Sequence, residues 1–138
     1  MKARVKWVED VTFVGESDSG HAVVMDGPPE SGGHNRGLRP MEMLLVGMGG
    51  CTAFDVVTIL RKARQAVVDC EVELEADRAP EPPKVFTGIR VRYRVRGRGL
   101  SEAQVKRAID LSTQKYCSAS IMLGKTASIT HEYEIVEA

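Results

Sequence analysis

The segment Arg39–Leu60, RPMEMLLVGMGGCTAFDVVTIL, constrains the fold more than any other stretch of the chain. It is the longest apolar run, and its only acids are Glu42 and Asp55. Pro40 suits the first turn of a helix, where its fixed φ is preorganised and its missing N–H is not needed. From Met41 the apolar residues, among them Met43, Leu44, Val46, Met48, Phe54 and Val57, fall on every side of a 3.6-residue period. A helix that is apolar all round is expected to be buried, in a core or in a membrane. Gly47, Gly49 and Gly50 strip side chains from part of its surface, which predicts close approach of another backbone there. Cys51 follows directly, where burial is expected to be deepest.

The run is just long enough to cross a bilayer. Its three glycines, two acids and missing aromatic belt argue against that, as do the strand patterns on both sides. No cationic start leads into an apolar stretch and a small-residue cleavage site, so a signal peptide is not expected. A chain of 138 residues is expected to form a single domain, 1–138, with enough buried surface for a real core. Nineteen basic and nineteen acidic residues cancel, which argues against a nucleic-acid binder. Cys51, Cys70 and Cys117 are odd in number and widely spaced, unlike a secreted disulfide framework, and indicate a reducing cytoplasm. With no Cys-x-x-Cys and with His21, His34 and His131 scattered, no metal site is expected, and no motif indicates a cofactor.

The rest of the chain reads as strands around two helices. Residues 2–8 alternate, with Ala3, Val5 and Trp7 on one face, and predict a half-buried strand. Segments 11–15 and 21–25 predict two more, making a β-meander. Asp26–Leu38, dense in Gly and Pro, is a long loop that delivers Arg36 and Arg39 to the start of the helix; it is either a solvated connection or functional. Cys70, Val72, Leu74 and Ala76 alternate with Glu71, Glu73, Glu75 and Asp77. Ile89, Val91, Tyr93 and Val95 alternate with Arg90, Arg92, Arg94 and Arg96. An antiparallel hairpin places the acids opposite the arginines and neutralises the stripe. Cys70 then faces the core with Val72 and reads as a packed thiol. Ser101 and Gln104 form a capping box for a second helix that ends near Cys117. Residues 127–136 alternate again and supply the strand that closes the sheet.

Ala119-x4-Gly124-Lys125-Thr126 fits only the loosest phosphate-loop pattern and lies between a helix and a strand, so nucleotide binding is not expected. That leaves the thiols. Burial alone raises a thiol's pKa and makes it inert, whereas a nearby cation activates it. On spacing, Cys51 is either a packed core thiol or a reactive one served by an arginine of the preceding loop.

The segment Pro40-Met41-Glu42-Met43-Leu44-Leu45, then Gly49-Gly50-Cys51, with Lys115-Tyr116-Cys117 some 66 residues later, resembles the OsmC/Ohr superfamily of osmotically inducible and organic hydroperoxide resistance proteins. The order of elements along the whole chain is similar too. The resemblance implies an α+β, OsmC-like fold: antiparallel sheets packed around a long buried central helix, in an intertwined homodimer with its sites at the subunit interface. It implies a thiol-dependent peroxidase acting on organic hydroperoxides or hydrogen peroxide, in oxidative or osmotic stress defence. Cys51 would be the peroxidatic thiolate and Cys117 the resolving thiol, with a dithiol as reductant. In hydroperoxide-reducing members an acid directly follows the motif proline and positions a catalytic arginine from the N-terminal part. Here that place is Met41 and the acid, Glu42, lies one position on, about 100° around the helix. Arg36 and Arg39 are the candidate arginines, with Arg4 a further one. The departure at Met41 leaves a second expectation open, a small-molecule or thiol-ligand binding protein whose apolar pocket is lined by Met41, Met43, Met48 and Phe54.

Overall fold

The computed structural model describes residues 1–138, which gather into two compact units, Met1–Leu44 and Leu45–Ala138. The first unit holds strands β1 (Ala3–Glu9), β2 (Thr12–Ser17) and β3 (Ala22–Met25) in an antiparallel meander of that order. Its turns are made at Asp10 and Gly20, both with positive φ. The predicted strands are there, but all seven residues of β1 are exposed, Val5 and Trp7 by about 60%. The expectation of a half-buried β1 is thus corrected: the pattern is amphipathic, but its apolar side is exposed.

The loop that follows is folded around one buried carboxylate. Asp26 accepts hydrogen bonds from the backbone N–H groups of Gly27 (2.8 Å), His34 (3.1 Å) and Arg36 (3.1 Å). Burial pushes this carboxyl up, and the three donors, Arg36 first, outweigh it, so it lies below the usual carboxylate range. At Gly33 a side chain would overlap the Gly27 carbonyl oxygen, so only glycine lets the loop close on itself.

Helix α1 (Pro40–Lys62) begins at the predicted proline. In the second unit it is followed by β4 (Ala66–Arg78), β5 (Phe86–Arg98), α2 (Glu102–Leu111), a π-helical turn at Ser112–Tyr116, α3 (Ser118–Leu123) and β6 (Ser128–Glu137). The sheet order is β4-β5-β6. β4 and β5 form the expected antiparallel hairpin, with Glu71 opposite Arg94, Glu73 opposite Arg92 and Glu75 opposite Arg90. Arg90 pairs with Glu75 and Asp77, while Arg92 and Arg94 reach Glu132 and Glu134 on β6. The basic stripe is therefore neutralised from both neighbouring strands. β6 runs parallel to β5, so this sheet is mixed rather than antiparallel throughout. The reason is the connection: a crossover through α2 and α3 returns the chain to the same end of the sheet.

The core of this unit is the inner face of β5 (Phe86, Ile89, Val91, Tyr93 and Val95) under one stripe of α1 (Met48, Gly49, Thr52, Val56 and Leu60). The stripe follows the i, i+4 spacing that keeps residues on one helix face. Burying Leu60 or Val56 there stabilises by about 1.5–3 kcal/mol each. Only 28% of the most apolar window of α1 is buried, and Val46 and Phe54 are exposed. Burial on every side, expected from periodicity, thus holds for one face within a single chain. Of the three glycines, only Gly49 meets a neighbour, where an added Cβ would lie 2.6 Å from Leu74 Cδ1; Gly47 and Gly50 face open space. Ser101 caps α2 by accepting from Gln104 N (3.3 Å), but its own N–H donates to Gln65 Oε1 (2.8 Å) instead of to Gln104.

Candidate active site

Cys51 lies mid-way along α1, directly after the Gly49–Gly50 pair, and is half-buried. Cys117 follows the π-helical turn and is the N-cap of α3, with no exposed surface. The wide turn at Ser112–Tyr116 ends the helical run, and the Cys117 N–H closes it by donating to the Ser112 carbonyl (2.7 Å). This places the Cys117 sulfur where it accepts from Ser120 N (3.3 Å) and Ser120 Oγ (3.0 Å). Its own S–H is directed at the Met48 carbonyl, 4.0 Å away. Burial pushes the Cys117 thiol above its ordinary pKa, against the lowering effect of Ser120.

The two thiols are brought together although they are 66 residues apart. Cys51 Sγ, Cys117 Sγ and a carboxylate oxygen of Asp55 all lie within 4.8 Å of one another. Closing a disulfide, with its ~2.05 Å S–S bond, thus takes a sulfur movement of under about 3 Å. Cys70 is not part of this cluster. Burial, and then the charge of Asp69, push its pKa up to about 11, which agrees with a packed structural thiol.

No motif in the sequence marks Asp55 or the residues that hold it as part of the site. Asp55 Oδ2 accepts from Ser112 Oγ (2.9 Å). Behind it, Ser112 Oγ contacts Thr52 Oγ1 (2.8 Å), which in turn contacts the Tyr93 hydroxyl (2.7 Å). Thr52, Ser112 and Tyr93 have no exposed surface. Burial raises Tyr93 to about 12, outweighing its hydrogen bond to Thr52, so the phenol stays protonated. The available signal was Cys51-x3-Asp55, an i, i+4 pair on one helix face.

The other expected residues are engaged within the first unit. The Glu42 carboxylate accepts from Arg39 N (2.8 Å) and so caps the start of α1. Arg39 Nη1 donates to Asn35 Oδ1 (2.6 Å) and the Gly37 carbonyl (3.3 Å). Arg36 is paired with Glu9, and Arg4 with Glu16. None of these arginines has Glu42 as a side-chain partner.

On the far side of the cluster, reached through Asp55 and lined by neither thiol, a groove of about 440 Å³ runs between α1 and α2. Phe54, Ile59, Leu111 and Tyr116 give it an apolar lining, Asp55 forms part of its wall, and Lys62 and Arg107 add positive charge.

A profile of the family described as OsmC-like protein matches residues 33–132. The chain is 55% identical to protein YhfA of Escherichia coli (strain K12) over 138 residues, which is 100% of both chains. A hypothetical protein from Aquifex aeolicus VF5 shares the fold with a TM-score of 0.87 at 29% identity, over 99% of this chain and 96% of that one. So does a Legionella pneumophila protein described as organic hydroperoxide resistance protein OsmC and predicted redox protein, with a TM-score of 0.70 at 15% identity, over 96% and 95%. An α+β fold with two three-stranded sheets, one long helix and a thiol pair defines the class. The chain belongs to the OsmC-like protein family.

Proposed function

We propose that this protein is a stress-related thiol peroxidase that reduces organic hydroperoxides or hydrogen peroxide through Cys51 and Cys117. The observation that carries this reading is the approach of the two sulfurs to within 4.8 Å, one half-buried and the other fully buried. The Cys51 thiolate attacks the peroxide oxygen, the O–O bond breaks, and the alkoxide leaves and is protonated to an alcohol. Cys51 becomes a sulfenic acid. Cys117 then attacks that sulfur, an S–S bond forms and water leaves. A dithiol reductant returns both thiols by exchange. The apolar groove beside the site suits the hydrocarbon end of an organic hydroperoxide.

In this reading the protein works in the cytoplasm as a homodimer, each chain acting as a single domain. The uncovered apolar surface of α1 (Val46 and Phe54) and of β1 (Val5, Trp7 and Val8) supports a second copy as its cover. The arginine that would assist Cys51 is then Arg36 or Arg39, with Glu42 ordering the start of α1.

A second reading is favoured by one observation, the use of Glu42 as a helix cap rather than as the partner of an arginine side chain. In it, the groove holds a small apolar or thiol-bearing ligand and peroxide turnover is slow. Stopped-flow oxidation by cumene hydroperoxide and by hydrogen peroxide, followed by intact mass, separates the two. A peroxidase loses two hydrogens rapidly; Cys51→Ser abolishes turnover and Cys117→Ser stops at the sulfenic acid. Absence of oxidation over minutes, or undiminished turnover in Cys51→Ser, refutes the peroxidase. A bound species in native mass spectrometry of the purified protein then carries the second reading.

A further inference from the structure

We infer that Asp55 is the base that removes the Cys117 thiol proton as Cys117 closes the disulfide on Cys51, and that Ser112, Thr52 and Tyr93 are positioning residues that hold its carboxylate. This rests on the two-thiol reading of the site. It adds a residue that the motifs of the family resemblance do not include.

Three observations lead here. First, the attacking species in disulfide closure is a thiolate, and Cys117 has no exposed surface through which solvent could take its proton. Burial holds that thiol in its protonated form. Second, an Asp55 carboxylate oxygen lies within 4.8 Å of both sulfurs. Third, the hydroxyl chain has a defined direction. Each hydroxyl carries one proton. Ser112 spends its proton on Asp55 Oδ2 (2.9 Å), so at the next contact (2.8 Å) Thr52 is the donor. Tyr93 is then the donor to Thr52 (2.7 Å). All three protons point towards Asp55. The chain holds the carboxylate through Oδ2, and its other oxygen is left to receive the proton once the Cys117 S–H turns from the Met48 carbonyl.

The step balances. The Cys117 S–H bond breaks, the S–S bond forms, and the S–O bond of the Cys51 sulfenic acid breaks. The proton passes through Asp55 to the departing hydroxide, which leaves as water. Asp55 ends as it began. Carboxylates are weaker bases than thiolates, so the proton moves while the S–S bond forms and not before.

The assignment is testable without peroxide. The full chain carrying Cys70→Ala, so that only the two site thiols report, is mixed with one equivalent of 2,2′-dithiodipyridine. Cys51 releases the first pyridinethione and keeps the other as a mixed disulfide. Cys117 releases the second by attacking it. Asp55→Asn is expected to leave the first release no slower and to slow the second by about a hundredfold, the lower end for a general base. Asp55→Glu, which retains a carboxylate, is expected to recover part of that loss. Electrostatics alone predict the opposite sign, because removing a negative charge beside Cys117 favours its thiolate. An equal or faster second release in Asp55→Asn overturns the assignment. If Asp55→Asn does not fold, the protein with Asp55 intact decides: a second release slower in heavy water supports a base acting in the step, and an unchanged one overturns it. Normal two-step exchange in a protein inert to peroxide removes the peroxidase and leaves Asp55. Peroxide turnover with an unchanged second release in Asp55→Asn does the reverse.

Discussion

Replacing Thr52 by Val removes one hydroxyl from the middle of the buried chain at almost constant shape. The Tyr93 hydroxyl then has no acceptor in a place without solvent. An unpaired buried donor costs about 1–3 kcal/mol, and the lost bond to Ser112 about 1 more, for a total of about 2–4 kcal/mol. Tyr93→Phe removes the other end. Thr52 keeps its proton on Ser112 (2.8 Å) and loses only an incoming donor, so the cost is about 1 kcal/mol. The double variant leaves no unpaired donor and is expected at about 1–2 kcal/mol, more stable than Thr52→Val alone. Urea unfolding at one fixed protein concentration, followed by circular dichroism, reads these values. With m near 2 kcal/mol/M, Thr52→Val lowers the midpoint by about 1–2 M, and adding Tyr93→Phe raises it again. Costs for the double variant that equal the sum of the singles would refute the direction assigned to the chain. So would a Tyr93→Phe cost equal to that of Thr52→Val.

Asp26→Asn is expected to loosen the 26–38 loop at neutral pH. Because the folded carboxyl lies below its ordinary range, its contribution is complete above about pH 4 and disappears as pH falls through the folded pKa; the stability gap between Asp26→Asn and the unmodified protein should close on that side, and a gap that persists in acid refutes it. Cys70, raised to about 11, should alkylate slowly at pH 7 and about tenfold faster per pH unit until near 11, as peptide mass spectrometry after timed iodoacetamide quenches will read. Leu60→Ala, at a fully buried site on α1, should cost about 2–5 kcal/mol in the same urea assay. Sedimentation should give twice the chain mass, and Phe54→Glu, placing a charge on the uncovered face of α1, should shift it towards one chain.

Some of this was legible in the chain. Pro40 and the apolar run placed α1, because composition and a fixed φ act locally. Strict alternation at 70–77 and 89–96 placed the hairpin and paired its charges, since register follows from which face is apolar. The direction of β6 was not legible: alternation reads the same both ways, and only the crossover decides it. Nor could periodicity say which face of α1 its own chain covers. Asp55, Thr52 and Ser112 read as scattered polar residues in helical segments, because their meeting with Tyr93 depends on tertiary packing. Asp26 looked like one more turn-former in a Gly- and Pro-rich loop, and its three backbone donors come from residues up to ten positions on.

The crossover between β5 and β6 also sets the order in which the protein can assemble. β4 and β5 are joined by residues 79–85 alone and can zip from that connection. β6 must wait for residues 99–127 to be made and folded back, and long closures of this kind are slow. Ser112, Cys117 and Ser120 all lie on that returning segment. Until it docks, Cys51 has no second thiol beside it. A nascent chain leaving the ribosome therefore passes through an interval with an unguarded thiol, and synthesis under oxidant should damage new chains more than finished ones.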